Sequence, residues 1–307
     1  MKVPRRSLLL GWVAPLVARS RPRLAICSET FAGMSFPEAC AAARRTGYEG
    51  IEIEPAHLSP DPASLSGPER RGIQRAMDSE GLHCAGLHSL FKAPPGLHLT
   101  TPDAAVRRKS WEYFSRLIDL AADLSPASLM VLGSAKQRSA IDGATPAEGA
   151  GRLSEGLSAL APHAMERSVT ILMEPLAPHL CNVVNTLEEA MRVVRAVNSP
   201  AVGTMLDTHN TAAETKPLDQ LIREYLPHIR HVHLNEMDGT RPGAANFNFK
   251  VVLDALERGG YHHWLSVEVF DFNPDGATVA RLANEYIRRL EAQHERRSGS
   301  GIREARP

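Results

Sequence analysis

A chain of 307 residues with 43% apolar residues has the length and core material for one large α/β domain. Its 35 basic and 35 acidic side chains cancel, so the overall balance lacks the basic footprint of a nucleic-acid-binding protein. Four cysteines stand singly at positions 27, 40, 84 and 181 with no CxxC pair, which excludes a zinc ribbon or a thioredoxin-like motif, and no apolar run is long enough to span a membrane.

At the N-terminus, Arg5-Arg6-Ser7-Leu8-Leu9-Leu10 sets two arginines before an apolar stretch that ends near Val17. Ala18-Arg19-Ser20 then offers small residues around a cleavage point. The pattern resembles a bacterial twin-arginine export signal and implies an exported or periplasmic protein; without export the chain is cytoplasmic. Residues 1–22 are therefore an N-terminal extension and 23–294 one domain. From Glu295 the chain is rich in Arg, Gly and Ser and loses its apolar period, so 295–307 is expected to be a disordered tail.

Between these ends, eight short apolar runs read as strands: Arg23–Cys27, Gly50–Glu54, Cys84–His88, Ser128–Gly133, Val169–Glu174, Val202–Asp207, Ile229–Leu234 and Trp264–Val269. Amphipathic stretches separate them. Ala104–Leu124 places Trp111, Phe114, Leu117, Ile118 and Ala121 at helical spacing, and Ala147–Arg167 and Leu187–Val197 behave alike. Eight β-then-α units point to a (β/α)8 TIM barrel, which typically takes about 250 residues. Pro55–Pro68 and Lys92–Thr101 have loop character and follow strands. They belong at the C-terminal face of the barrel, where such enzymes keep their sites.

Four successive strands end on a side chain that can ligate a metal: Glu174, Asp207, His233 and Glu268. The gaps of 33, 26 and 35 residues each span about one βα unit, so the four converge over the barrel mouth. A carboxylate at the end of an apolar strand is costly to bury unpaired, and a divalent cation is a sufficient partner. Three carboxylates and one imidazole make a mostly hard-oxygen set. It suits one Mn2+ ion best, accepts Mg2+ or Co2+, and tolerates Zn2+.

In Glu174-Pro175, Leu206-Asp207-Thr208, His231-Val232-His233 and Val267-Glu268-Val269 the chain resembles the xylose isomerase-like TIM barrels, the sugar isomerase, epimerase and endonuclease superfamily. The likeness runs from about Arg23 to Leu290. Gly47-Tyr48-Glu49-Gly50-Ile51-Glu52-Ile53 and Pro242-Gly243 also look familial, and the ligand gaps are like those of ketose 3-epimerases. The resemblance implies a small sugar or polyol substrate. It further implies that a bound cation would polarise the carbonyl, that one glutamate would remove the neighbouring carbon-bound proton, and that reprotonation of the ene-diolate would give an epimer or an isomer. Glu174 and Glu268 would be the acid/base pair as well as ligands. A dehydratase or lyase acting on an inosose or keto-sugar is the alternative, and a non-catalytic sugar-binding barrel a third reading.

Several positions depart from the ketose 3-epimerase pattern. Leu180 stands where a second Glu is expected, Asn210 where a His is expected and Gly239 where an Arg is expected. This puts free-ketose 3-epimerisation itself in doubt. Asn210 and the lack of an Asp-x-His after the seventh strand also weaken the endonuclease reading. His88, Lys136, Arg138, His209 and Arg241 are the candidate substrate contacts, and His231 reads as a hydrogen-bonded core residue. No nucleic acid partner is expected, and a homo-oligomer is left open.

Overall fold

Each apolar run becomes a parallel strand and each amphipathic stretch the helix that returns to the next strand. The computed structural model describes residues 22–301. The strands are β1 (Arg23–Cys27), β2 (Gly50–Ile53), β3 (His83–Leu87), β4 (Leu129–Leu132), β5 (Thr170–Met173), β6 (Val202–Asp207), β7 (Ile229–Leu234) and β8 (Trp264–Val267). They pair in sequence order, and β8 pairs in turn with β1, so the sheet closes into a TIM barrel with no free edge. The principal helices are α1 (Phe36–Arg45), α2 (Gly67–Ser79), α3 (Ala104–Leu124), α4 (Pro146–Glu166), α5 (Leu187–Val197), α6 (Leu218–Tyr225), α7 (Phe249–Arg258) and α8 (Gly276–Gly301), one after each strand.

Local sequence explains where the helices begin. Ser35 with Glu38, Ser66 with Glu69 and Thr145 with Glu148 form capping boxes at α1, α2 and α4, each with a proline in the first turn. Alternation along the strands then splits the core in two. Outward residues such as Leu24, Ile26, Ile51 and Ile171 pack beneath Phe114, Leu117 and Ile118 of α3 and their counterparts on the other helices. The barrel interior is filled by small clusters, Ala25 with Ala85 and Trp264, and Val131 with Leu172 and Met205. Nearer the C-terminal ends of the strands this filling turns polar, with Cys27, Glu52, His231, His233 and Ser266 all fully buried.

The boundaries differ from the sequence reading in instructive ways. Glu54, His88, Gly133, Glu174 and Glu268 lie just beyond their strands, because the chain leaves the ladder there to enter the loops of the mouth. Pro55–Pro68 holds a single helical turn at Pro55–Leu58 and a 3-10 turn at Pro62–Ser64, each started by a proline whose fixed φ suits the first helical position. Helix α8 runs on to Gly301, past the start of the expected disordered tail at Glu295. Extending a helix costs far less than starting one, and Glu295, Arg296 and Arg297 are good helix formers. The twin-arginine-like segment and residues 302–307 lie outside the described residues. Among the described residues no helix is long and apolar enough to cross a membrane.

Candidate active site

Glu174 follows β5, Asp207 closes β6, His233 sits in β7 and Glu268 follows β8, so four neighbouring strands deliver one side chain each. All four are buried, and one ligand atom from each lies within 4.8 Å of every other. His233 Nδ1 lies 3.1 Å from Glu268 Oε2 and 3.8 Å from Glu174 Oε1. It nevertheless makes no hydrogen bond, although it is buried. Burial, then the nearby charges of Asp207 and Glu268, push the Glu174 carboxyl well above the usual range. Asp207 is also raised, by burial and then by Glu268. Burial alone would raise Glu268 too, but His233 and His88 outweigh it and hold that carboxyl low.

Three buried carboxylates facing one another repel unless something positive lies between them. The donor set, three carboxylates and a ring nitrogen aimed at their midst without a hydrogen-bond partner, fits a divalent cation. Gly133 makes room for the Glu174 carboxylate. A Cβ at that position would lie 2.1 Å from Glu174 Oε2, so the ligand occupies space that only glycine leaves free.

Beneath the quartet lies a brace that the ligand spacing does not reveal. Glu52, on β2, takes His231 Nε2 at 2.8 Å and His233 Nε2 at 3.0 Å. The two imidazoles outweigh its burial and hold its carboxyl well below the usual range. With Nε2 committed to Glu52, His233 turns Nδ1 to the carboxylates, the arrangement in which an outer carboxylate orients a metal-ligating histidine. Asn210 is a second brace. Its Nδ2 donates to Asp207 Oδ2 at 2.6 Å and Glu174 Oε1 at 3.4 Å, and its Oδ1 accepts from Ala177 N at 2.9 Å. The backbone N–H of His209 donates to Asp207 Oδ1 at 2.8 Å. Signals for both braces exist in the sequence. Glu52 is a carboxylate inside an apolar strand, and Asn210 stands three residues after a ligand.

One expected substrate contact, Arg138, needs correction. Arg138 is fully buried, with Nε on the Gly133 carbonyl and Nη2 on the Glu174 carbonyl, both at 2.6 Å. It clamps the backbone under a ligand and is spent, because a buried guanidinium must satisfy its donors inside the protein. His88 is buried between carboxylates, Nε2 at 2.9 Å from Glu29 and Nδ1 at 3.2 Å from Glu268, so it braces a ligand from the side. His209 is buried too, with Nδ1 3.2 Å from the Glu236 carbonyl and its ring edge-on to Phe270. Lys136 is exposed on a short helical turn after β4, and Arg241 is half-buried with Nη1 on the Pro242 carbonyl. Among the described residues neither bonds to the quartet. His231 is the hydrogen-bonded core residue expected of it.

A cavity of about 450 Å³ opens beside the quartet, on the β8–β1–β2 side of the mouth. Glu29, Glu54, His57, Ser89 and Lys92 contribute its polar lining, and Val269, Phe270 and Phe272 the larger part of its apolar lining. Lys92 Nζ lies 2.8 Å from Glu54 Oε2. Gly239 carries the Phe270 ring, for a Cβ there would meet Phe270 Cδ2 at 2.6 Å. Leu180, at the other departure from the epimerase pattern, is exposed.

Comparison with known proteins agrees with this fold. Residues 40–290 match the family described as xylose isomerase-like TIM barrel. A protein from Synechocystis sp. described as a probable ketose 3-epimerase is 26% identical over 253 residues, 78% of this chain and 80% of that one. The fructoselysine 3-epimerase of Shigella flexneri is 25% identical over 264 residues, 83% of this chain and 92% of the relative. A solved structure of an L-ribulose 3-epimerase superposes with a TM-score of 0.79 at 20% identity, over 93% of this chain and all of the other.

Proposed function

The chain belongs to the xylose isomerase-like TIM barrel family, and from that premise we propose that it is a divalent-metal-dependent sugar epimerase or isomerase that works by proton abstraction through an ene-diolate. The observation that carries this reading is the convergence of Glu174, Asp207 and Glu268 on the buried, unbonded Nδ1 of His233. Similarity to proteins named as ketose 3-epimerase and fructoselysine 3-epimerase supports the same reaction class. Mn2+ is the ion proposed, on the strength of the oxygen-rich donor set.

Glu174, Asp207, His233 and Glu268 would hold the ion, which when bound supplies Lewis-acid polarisation of a substrate carbonyl and its neighbouring hydroxyl. The remaining chemistry falls to the protein. Glu174 and Glu268 each have two carboxylate oxygens, so one can ligate while the other takes or returns a carbon-bound proton. They come from non-adjacent strands, and this is the placement needed to serve opposite faces of a substrate held between them. Return of the proton to the opposite face of the same carbon gives an epimer. Asn210 and the His209 backbone fix Asp207, leaving it as a ligand. Glu52 holds the His233 ring and Arg138 the Glu174 backbone, so the centre is set before substrate arrives.

Metal analysis of the purified protein tests the reading. About one divalent ion per chain is expected, with most of it lost in His233→Ala and Asp207→Ala. Equal metal content in wild type and both variants would remove the basis of the proposal.

A further inference from the structure

The quartet explains where a carbonyl would be held, yet none of its four residues lines the adjoining cavity. The two spaces share a wall one side chain thick. Glu29 faces the cavity and bonds His88, whose other nitrogen meets Glu268. Ser89 and Val269, the chain neighbours of His88 and Glu268, also line the cavity. A molecule held at the quartet and reaching past the edge of that wall would place in the cavity the part that lies beyond its reacting carbons.

Size and lining describe that part. Cavities of about 300–1,000 Å³ take drug-sized ligands. This one, at about 450 Å³, would be left largely empty by the few hydroxylated carbons that a free ketose extends past its carbonyl. One wall is Val269, Phe270 and Phe272, and it is built rather than floppy. The Phe270 N–H donates to the Gly239 carbonyl at 2.8 Å, and its ring packs over Gly239 and edge-on to His209, with centroids 5.4 Å apart. Even so, Phe270 is 55% exposed. Among the described residues four large apolar side chains are exposed, and three of them, Leu180, Met237 and Phe270, sit on the loops after β5, β7 and β8. A fixed aromatic ring left in water at the mouth of a reaction site is an unfilled contact.

We propose that the substrate is a keto-sugar bearing an apolar, ring-sized substituent, a keto-glycoside of an aromatic alcohol, with its sugar at the quartet and its substituent against Phe270 and Phe272. This rests on the quartet being the reaction centre. It gives a reason for one departure from the free-ketose pattern. Gly239 makes the seat for Phe270.

Calorimetric binding of phenyl and methyl 3-keto-β-D-glucoside to the metal-loaded protein tests it. Burying a phenyl group should make the phenyl glycoside at least about tenfold tighter. That ratio should fall towards one in Phe270→Ala and Phe272→Ala, and hold in Met165→Ala, whose exposed side chain lies at the far end of α4. Thermal melts identify any variant that has lost its fold, and Phe270→Ala, at an exposed position, keeps the test decisive. A wild-type ratio within about twofold, a ratio that survives both Phe changes, or no binding of either glycoside overturns the proposal. Dihydroxyacetone, too small to reach the cavity, separates this failure from failure of the reaction. If its carbon-bound hydrogen exchanges in D2O with metal present but the glycoside ratio is near one, the quartet reading stands and the cavity assignment falls. If wild type catalyses no exchange, the quartet reading itself falls.

Discussion

On the β1–β3 side of the barrel mouth, buried or half-buried carboxylates are matched inside the protein: Glu29 to His88, Glu52 to His231 and His233, Glu54 to Lys92. On the β5–β8 side, Glu174, Asp207 and Glu268 are turned towards one another and towards one ring nitrogen, His233 Nδ1, which lies 3.1 Å from Glu268 Oε2. The same residue type at the same level of the same barrel is thus neutralised on one side and left crowded on the other. Burial alone does not distinguish the two. What differs is how far the chain itself supplies the compensating charge: His88 and His233 hold Glu268 low, but Glu174 and Asp207 are left pushed up.

The sharpest way to break this contrast is to remove one charge from the crowded side. Glu174→Gln and Glu268→Gln keep the size and one oxygen ligand but lose the base. At saturating metal each should turn over at least about a hundredfold more slowly, within the 10²–10⁴ range of general acid–base groups. Deuterium exchange at the substrate carbon should stop in the variant that lacks the abstracting base. Near-wild-type turnover in both would leave the quartet as a Lewis-acid site alone.

A change on the matched side should act through the metal instead. Glu52→Gln removes the charge that orients His233 but touches no ligand oxygen, and losing such an outer partner typically weakens metal binding about 10–100-fold. Competition with a chelator measures it, and an unchanged affinity would show that Glu52 is structural filling only.

Gly133→Ala probes the space around Glu174. Its methyl would displace Oε2 rather than backbone, so the fold should survive while metal affinity drops about tenfold. Loss of folding without a change in affinity would contradict the close approach.

The smallest expected effect is on the melting temperature. With its folded-state pKa raised, Glu174 favours the metal-free fold while protonated, and that contribution is lost as pH rises through the raised value. Metal requires the ionised form. The gain in Tm on adding metal should therefore widen as pH rises above the ordinary carboxylate range and through the raised value. A gain that is flat with pH would mean that Glu174 does not titrate between the two states.

The convergence of Glu174, Asp207, His233 and Glu268 was legible in the sequence because a βα unit has a nearly fixed length, so these candidate ligands stand one unit apart at the ends of apolar strands. The barrel followed from the same rhythm. Arg138 was misread because a cation in a loop beside a site looks like a substrate contact. Only the fold shows that the Gly133 and Glu174 carbonyls lie in front of it. Glu52 carried the same mark as the ligands, a carboxylate in an apolar run, but it lies outside their register of successive strands. The cavity could not be read at all, since its walls join residues 29–92 to 269–272, and strand order alone does not say how loops from β1, β2 and β8 lean together.

The Glu52–His233 contact spans 181 positions of the chain and links the second strand to the seventh. Such a contact closes late in folding, because the chain between must first be ordered. The candidate ligands all come from β5 to β8, in the C-terminal half, but the carboxylate that orients His233 comes from β2. A nascent or half-assembled chain would present carboxylates without a directed imidazole, and would hold a cation loosely. Tight metal uptake thus becomes a marker of a closed barrel, and refolding followed by metal affinity should lag behind refolding followed by helix content.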